Sequence, residues 1–367
     1  MDTTDPEIQF DENGICNHCH QYDESIKTFV FDGEVGKEKL QQIVTEIKES
    51  GKGKEYDCII GVSGGVDSTF VAYKVKEMGL RPLAIHLDNG WDSELSVKNI
   101  ELVLKKLDID LFTYVIDWEE FKDLQLSFLQ ASTPDTEIPT DHAIGILYII
   151  ATEKKIPYII LGMNTRTESH IPCAWSQGHG DWKYIKSIHK QFGHVPLKTF
   201  PHYTYFDLHM YRTTLKTINI LNYINYTKEE TIKILEQELG WKYYGGKHYE
   251  SIFTRFYQGY ILPKKFGYDK RKAHLSSLIC SGEITRTNAL EELQKEPYPI
   301  ELQEQDKQYV IKKLGLTEKS FQEIMNLPKK RFEDYPSYQK SIYGSIFCKV
   351  PVKMFRLIRS SYRRILG

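Results

Sequence analysis

The stretch that most limits what this chain can become is Tyr56–Ser68, YDCIIGVSGGVDS. A short apolar run bounded by glycines reads as a buried strand. Beyond it Val71, Val75 and Met78 recur at i, i+4 and i+7, the apolar stripe of a helix. A strand–glycine–helix junction exposes backbone N–H groups at a helix N-terminus, where anions are attracted. Gly64 and Gly65 let the backbone approach a phosphate without a Cβ in the way, and Ser63 and Ser68 add hydroxyl donors. The spacing is neither G-x-x-x-x-G-K-[ST], since no lysine follows, nor G-x-G-x-x-G. Asp67 would repel a phosphate at contact distance, so its presence implies an intervening Mg²⁺ that it ligates directly or through water. The plainer reading is that these polar residues only cap a helix. Strand, glycine pair and both serines occurring in order favour the phosphate loop.

From Tyr56 to Asn164 strand and helix patterns alternate. The expected strands are YDCIIGV, RPLAIHL from Arg81, LFTYVID from Leu111 and PYIILGM from Pro157, short apolar runs suited to burial on both faces of a parallel sheet. Helices are expected at Ser68–Met78, Glu94–Leu107, Glu119–Leu129 and Asp141–Lys154, with one more near Gly36–Glu49. This is the pattern of an α/β fold with a doubly wound parallel sheet. The expected organisation is a small cysteine-containing extension over 1–50, an α/β domain over 51–204 and a mostly helical region over 205–367. In the last, Thr227-x-x-Glu230 reads as a capping box.

SGGVDS resembles the PP-loop of the ATP pyrophosphatases, which split ATP between the α and β phosphates. The resemblance implies ATP and Mg²⁺ as cofactors, a loop that grips the leaving pyrophosphate, and an adenine pocket lined by the second strand. That carries over Ala84, Ile85, His86, Leu87 and Asp88. DPEIQFDENGICNHC at the start, GMNTRTES after the fourth strand, and the segment 245–286 together resemble the N-acetyl sugar amidotransferases of bacterial surface-polysaccharide and nonulosonic-acid pathways, O-antigen and pseudaminic acid included. Such enzymes turn an acetamido group into an acetamidino group: adenylation makes the amide oxygen a leaving group, and ammonia then displaces AMP. The implied partners are an acetamido sugar, free or nucleotide-linked, and a separate ammonia supplier similar to the glutaminase–cyclase pair of histidine biosynthesis. No cysteine, Cys173 included, sits in a glutaminase pattern.

Within 245–286, Lys247, His248, Arg255, Lys265 and Arg271 are the cations singled out for substrate or pyrophosphate contact, Lys247 and His248 first. Preplaced cations of this kind stabilise phosphate charge in a transition state. Gly162, Asn164, Thr167 and Glu168 follow a strand's carboxyl end, where open α/β sheets bind ligands. Glu168 is a candidate for sugar hydroxyls or for guiding ammonia, or else a helix cap. Trp175 and Trp182, with Asp181, are candidates for stacking on and bonding the sugar, or else core residues.

Cys16-x-x-Cys19 has the spacing of half a zinc site. The resembling family commonly carries another Cys-x-x-Cys just ahead of this segment, so zinc binding and a bare structural pair both stand, with His18, His20 and Cys280 as weaker substitute ligands. The 48 Lys and Arg nearly balance 50 Asp and Glu, for a formal charge of −2. No global field therefore draws the chain to nucleic acid, which disfavours the alternative of tRNA thiolation. A non-catalytic nucleotide-binding module is the other alternative, and it leaves Asp67 and the cationic segment without a task. No signal-peptide pattern or apolar run of about 18 residues appears, so a cytoplasmic protein is expected. The closing KVPVKMFRLIRSSYRRILG is expected to be a basic surface helix or a peripheral docking segment.

Overall fold

The computed structural model describes residues 1–339. The closing basic segment lies outside the described residues. Five strands form one parallel sheet: β1 (Cys58–Gly61), β2 (Pro82–Asp88), β3 (Asp110–Val115), β4 (Tyr158–Leu161) and β5 (Lys216–Asn219). Their spatial order is β3-β2-β1-β4-β5. The chain winds outward from β1 to β3, then returns to the other side of β1 for β4 and β5. The reversal falls between β1 and β4, and a crevice opens at the carboxyl ends of strands where a doubly wound sheet reverses.

Side chains alternate across the sheet. On one face Cys58, Ile60 and Ala84 pack with Val71, Val75, Ile100 and Val103; on the other Ile59, Leu83 and Ile85 pack with Leu147 and Ile150. A third cluster joins Phe121 and Phe128 to Phe253, Tyr257 and Phe321. Each such side chain is worth about 1.5–3 kcal/mol on burial. The helices at Trp118–Ala131 and Trp182–Phe192 thus share one core with those at Ile252–Phe256, Ile300–Leu314 and Glu318–Asn326.

The structure departs from the sequence expectations in four places. β3 is an edge strand rather than one buried on both faces: Val115 is 64% exposed. β5 was not expected at all, because four residues on the other edge carry too short a pattern. It extends the sheet past position 205, into the stretch expected to be mostly helical. The helix expected over Asp141–Lys154 is two, Ile138–Ala143 and Ile146–Glu153, parted at Gly145, where the Tyr203 ring lies against the backbone. Finally, Thr227 makes no capping box. Its hydroxyl donates to Glu230 Oε2 at 2.9 Å instead of accepting the third amide of the Lys228–Ile234 helix. No helix among the described residues is long and apolar enough to cross a membrane.

Candidate active site

The loop after β1 turns at Gly64, whose φ of +75° belongs to the left-handed region that glycine tolerates. Space demands glycine as well, since a Cβ there would stand 2.7 Å from the Ser96 carbonyl oxygen. Trp241 donates its indole N–H to the Gly64 carbonyl at 3.0 Å and fixes the turn from below. The Val66–Glu77 helix then begins, presenting the loop amides at its N-terminus. Hydroxyl oxygens meet these amides. Ser63 N–H donates to Ser68 Oγ at 3.2 Å, Gly65 N–H to Ser63 Oγ at 3.4 Å, and Val66 N–H to the Tyr244 hydroxyl at 3.1 Å. A nest of backbone donors satisfied only by hydroxyls suits exchange for phosphate oxygens.

Around this nest stand carboxylates and ammonium groups from four parts of the chain. Asp67, in the first turn of the helix, accepts a hydrogen bond from the Tyr226 hydroxyl. Its burial, and then the Glu168 charge, hold its carboxyl above the ordinary value. Glu168, from the loop after β4, pairs with Lys247 at 3.1 Å. Although burial works against it, the Lys247 and His248 charges pull the Glu168 carboxyl down. The Lys247 ammonium also donates to His274 Nδ1 at 3.2 Å. Burial, with Lys247 and Lys228 beside it, pushes the His274 pKa down to about 2, so this ring is neutral. Lys228 has its own pKa lowered, by burial and by Lys247. Glu250 closes the ring: His248 Nδ1 lies 3.5 Å from its Oε1, a Cβ on Gly65 would stand 3.4 Å from that oxygen, and its buried Oε2 has no partner.

The segment holding Lys247 and Glu250 is pinned beside β2. Asn99, buried on the Glu94–Leu107 helix, clamps Lys242 by two hydrogen bonds, from its Nδ2 to the carbonyl at 2.8 Å and from the Lys242 N–H to its Oδ1 at 3.0 Å. Ser93 N–H donates to the Glu250 carbonyl at 2.8 Å, and Asp92 bridges to Ser251. His248 takes a φ of +62°, in the left-handed region.

Of the residues singled out from sequence, the structure gathers Ser63, Gly64, Gly65, Asp67, Ser68, Glu168, Lys247 and His248. Gly162, at the end of β4, lies so close to the helix start that a Cβ would be 3.1 Å from the Asp67 carbonyl carbon. Asn164 is buried with Nδ2 unpartnered, and the Thr167 carbonyl lies 3.3 Å from His274 Nδ1. On β2, Ala84 and Ile85 are buried in the two sheet faces, Leu87 packs beside Ile85, and Asp88 Oδ1 accepts the Gly90 N–H at 2.8 Å. His86 directs Nδ1 at the Val62 carbonyl, 3.0 Å, and Nε2 at Asp92, 3.1 Å. Burial opposes a charge on that ring, but the Asp92 carboxylate prevails and raises its pKa.

Other candidates are engaged elsewhere, and these are corrections. Lys265 is buried and donates to the Ile324 carbonyl; burial pushes its pKa down to about 8. Arg271 closes on Asp269 and the carbonyls of Glu292 and Lys295, and Arg255 forks onto Asp306 with two bonds of 2.7 Å. These cations stitch the helical region together. Trp175 is fully buried, stacked on Tyr268 and donating to the Thr4 carbonyl at 3.3 Å, so it offers no face to a sugar. Asp181 is the buried N-cap of the Trp182–Phe192 helix, and Trp182 stacks among His142, Phe200 and His202. Sequence reasoning passed over Tyr226, Lys228, Tyr244 and Glu250. Glu250 stands inside the very segment that carries the resemblance, so its position was the available signal.

Two further clusters have metal-ligand chemistry. Asp135, Asp141 and His179 converge beside Glu137, whose carboxyl, bonded by the Thr254 hydroxyl, burial pushes up to about 8. Cys16 and Cys19 bring their sulfurs to 3.5 Å, while His18 pairs with Asp5 and His20 with Asp11 through Nε2.

Residues 250–348 match the family model of the C-terminal domain of WbpG-like LPS biosynthesis proteins. An uncharacterized protein of Methanocaldococcus jannaschii is 24% identical over 279 residues, 73% of this chain and 83% of that protein. The tRNA-specific 2-thiouridylase MnmA of Mesomycoplasma hyopneumoniae is 28% identical over 156 residues, 35% of this chain and 41% of its own length. Among solved structures, the NH3-dependent NAD synthetase of Campylobacter jejuni aligns with 14% identity and a TM-score of 0.34, over 80% of this chain and 98% of that one. In this chain a five-stranded parallel sheet, its first strand running into the SGGVDS loop, precedes a segment similar to the C-terminal domain of WbpG-like proteins.

Proposed function

We propose that this chain is an ATP-dependent amidotransferase that converts the acetamido group of a sugar, free or nucleotide-linked, into an acetamidino group, with AMP and pyrophosphate as products. One observation carries the reading: the hydroxyl-filled amide nest of the PP-loop faces a ring of carboxylates and ammonium groups, part of it from the segment that runs into the WbpG-like domain. That description is of lipopolysaccharide synthesis, and it favours a sugar substrate in a surface-polysaccharide pathway.

The donor set fits Mg²⁺. Asp67, Glu168 and Glu250 are hard oxygen ligands, and the buried Glu250 Oε2 has no partner of its own. When bound, the ion would neutralise charge on the phosphates and polarise the α-phosphorus. Lys247 and Lys228 hold the phosphate chain against the loop amides. The acetamido oxygen bonds to the α-phosphorus while the bridge to the β-phosphorus breaks, and pyrophosphate leaves into the nest. Ammonia then adds to the activated carbon, AMP departs with the former amide oxygen, and loss of a proton gives the amidine. We propose that the ammonia comes from a separate glutaminase chain. Cys173 fits that proposal: partial desolvation and the Glu7 and Asp5 carboxylates raise its thiol pKa, the opposite of what an activated nucleophile needs.

The likeness to a 2-thiouridylase favours tRNA thiolation as the second reading. Purified enzyme with ATP, Mg²⁺ and ammonium separates the two. Formation of AMP that depends on an acetamido nucleotide sugar supports amidotransfer, and formation that depends on tRNA and a sulfur donor overturns it.

A further inference from the structure

Two thiols, Cys19 and Cys280, converge with the His170 imidazole from three segments far apart in sequence, and a third thiol, Cys16, lies beside Cys19. Cys16 and Cys19 flank the start of the Asn17–Phe29 helix, His170 stands in the loop after β4, and Cys280 ends the Lys270–Cys280 helix. The sulfurs of Cys16 and Cys19 are 3.5 Å apart, and Cys280 Sγ lies 3.9 Å from His170 Nε2. The ligand atoms of Cys19, His170 and Cys280 all lie within 4.8 Å of one another. Tetrahedral zinc, with bonds of about 2.3 Å to sulfur and about 2.0 Å to nitrogen, separates its ligands by about 3.5–3.8 Å. The two edges, 3.5 and 3.9 Å, fall close to that spacing.

The imidazole is prepared for such a role. His170 Nδ1 meets the Ser277 hydroxyl at 2.8 Å, and that hydroxyl donates its proton onward to the Ala273 carbonyl at 3.3 Å. Ser277 Oγ therefore accepts from Nδ1–H, which leaves the lone pair on Nε2, the atom facing Cys280. A ligating histidine fixed through its other nitrogen is the usual arrangement around metals. Tyr22 stacks on the same ring at 5.3 Å.

We propose that Cys16, Cys19, His170 and Cys280 bind one zinc ion in a closed, structural site. Its location gives it a task. His170 follows Glu168 by two residues in the same loop, and Cys280 shares its helix with His274. Glu168 and His274 are the two groups that hold the Lys247 ammonium. A zinc ion at this point fastens the N-terminal extension to both segments that position Lys247, from outside the catalytic crevice.

The test uses the full chain purified under reducing conditions without chelator. Metal analysis is expected to find one zinc per chain. Cobalt exchanged into the wild type is expected to give the intense charge-transfer absorption of a three-thiolate site. Cys280→Ser and His170→Ala should each weaken metal binding at least about tenfold, and cobalt bound to Cys280→Ser should lose part of the thiolate band. Chelation should lower the wild-type melting temperature, as loss of a structural ion does. Because the wild-type cobalt spectrum needs no variant, the proposal stays testable even if a substituted chain misfolds. A reduced wild type that takes up neither zinc nor cobalt overturns it. So does undiminished affinity in both variants, or a thiol titration showing Cys16 joined to Cys19 as a disulfide after reductant is removed in the presence of zinc.

Discussion

Asp67 holds the central position at the residue scale, since it is a proposed Mg²⁺ ligand while its Oδ1 accepts from Tyr226. Asp67→Asn keeps an oxygen for that bond, so the fold should survive. The rate of AMP formation should fall about 10²-fold or more, the cost of removing one preorganised electrostatic group. Undiminished turnover at ordinary Mg²⁺ would remove Asp67 from the site. Gly64 makes a structural prediction. An alanine there must hold φ at +75° and press on the Ser96 carbonyl, so Gly64→Ala should lose about 1–2 kcal/mol in denaturant melts as well as nucleotide affinity. Glu137 predicts a pH effect. Its folded pKa, about 8, exceeds the ordinary 4.5, so the unfolded chain ionises first and wild-type stability declines as pH rises between those values. Glu137→Gln removes that slope, and its melting temperature should gain on the wild type progressively from pH 4.5 to 8. A constant difference across that window would mean that Glu137 is ionised in the folded protein.

At the element scale, what could be read from sequence was what is local. The loop from Ser63 to Ser68, the strand before it and the Glu94–Leu107 helix follow from neighbouring residues, and the helix bounds agree with the structure. Lys265 and Arg271 misled because charge and flanking glycines look alike on a stitched core and on a ligand site; only the partners, Ile324 and the Glu292 and Lys295 carbonyls, tell them apart. Tyr226 and Tyr244 were invisible for the converse reason. Their hydroxyls reach Asp67 and Val66 across 159 and 178 residues, and no local pattern encodes that contact. The Asn99 clamp on Lys242 is likewise long-range, and it bears on function. Asn99→Ala should free the segment bearing Lys247 and Glu250 and raise KM for ATP several-fold, while kcat at saturation falls less. Equal losses in kcat and kcat/KM would instead place Asn99 in the chemistry.

On the scale of the whole molecule, the crevice between β1 and β4 receives groups from the loop after β4, from residues 226–250 and from the Lys270–Cys280 helix, all packed onto one α/β frame. This accounts for why the phosphate half of the site was legible and the rest was not: one loop supplies the first, and folding assembles the second. We propose that this assembly activates an acetamido oxygen for ammonia. The most direct measurement follows the label from an acetamido nucleotide sugar carrying ¹⁸O in its acetyl group, incubated with enzyme, ATP, Mg²⁺ and ammonium. The ¹⁸O is expected in AMP, in equal amount to the amidine formed, and glutamine alone is expected to yield nothing. Unlabelled AMP accompanying amidine, or AMP formed only when tRNA is supplied, would contradict it.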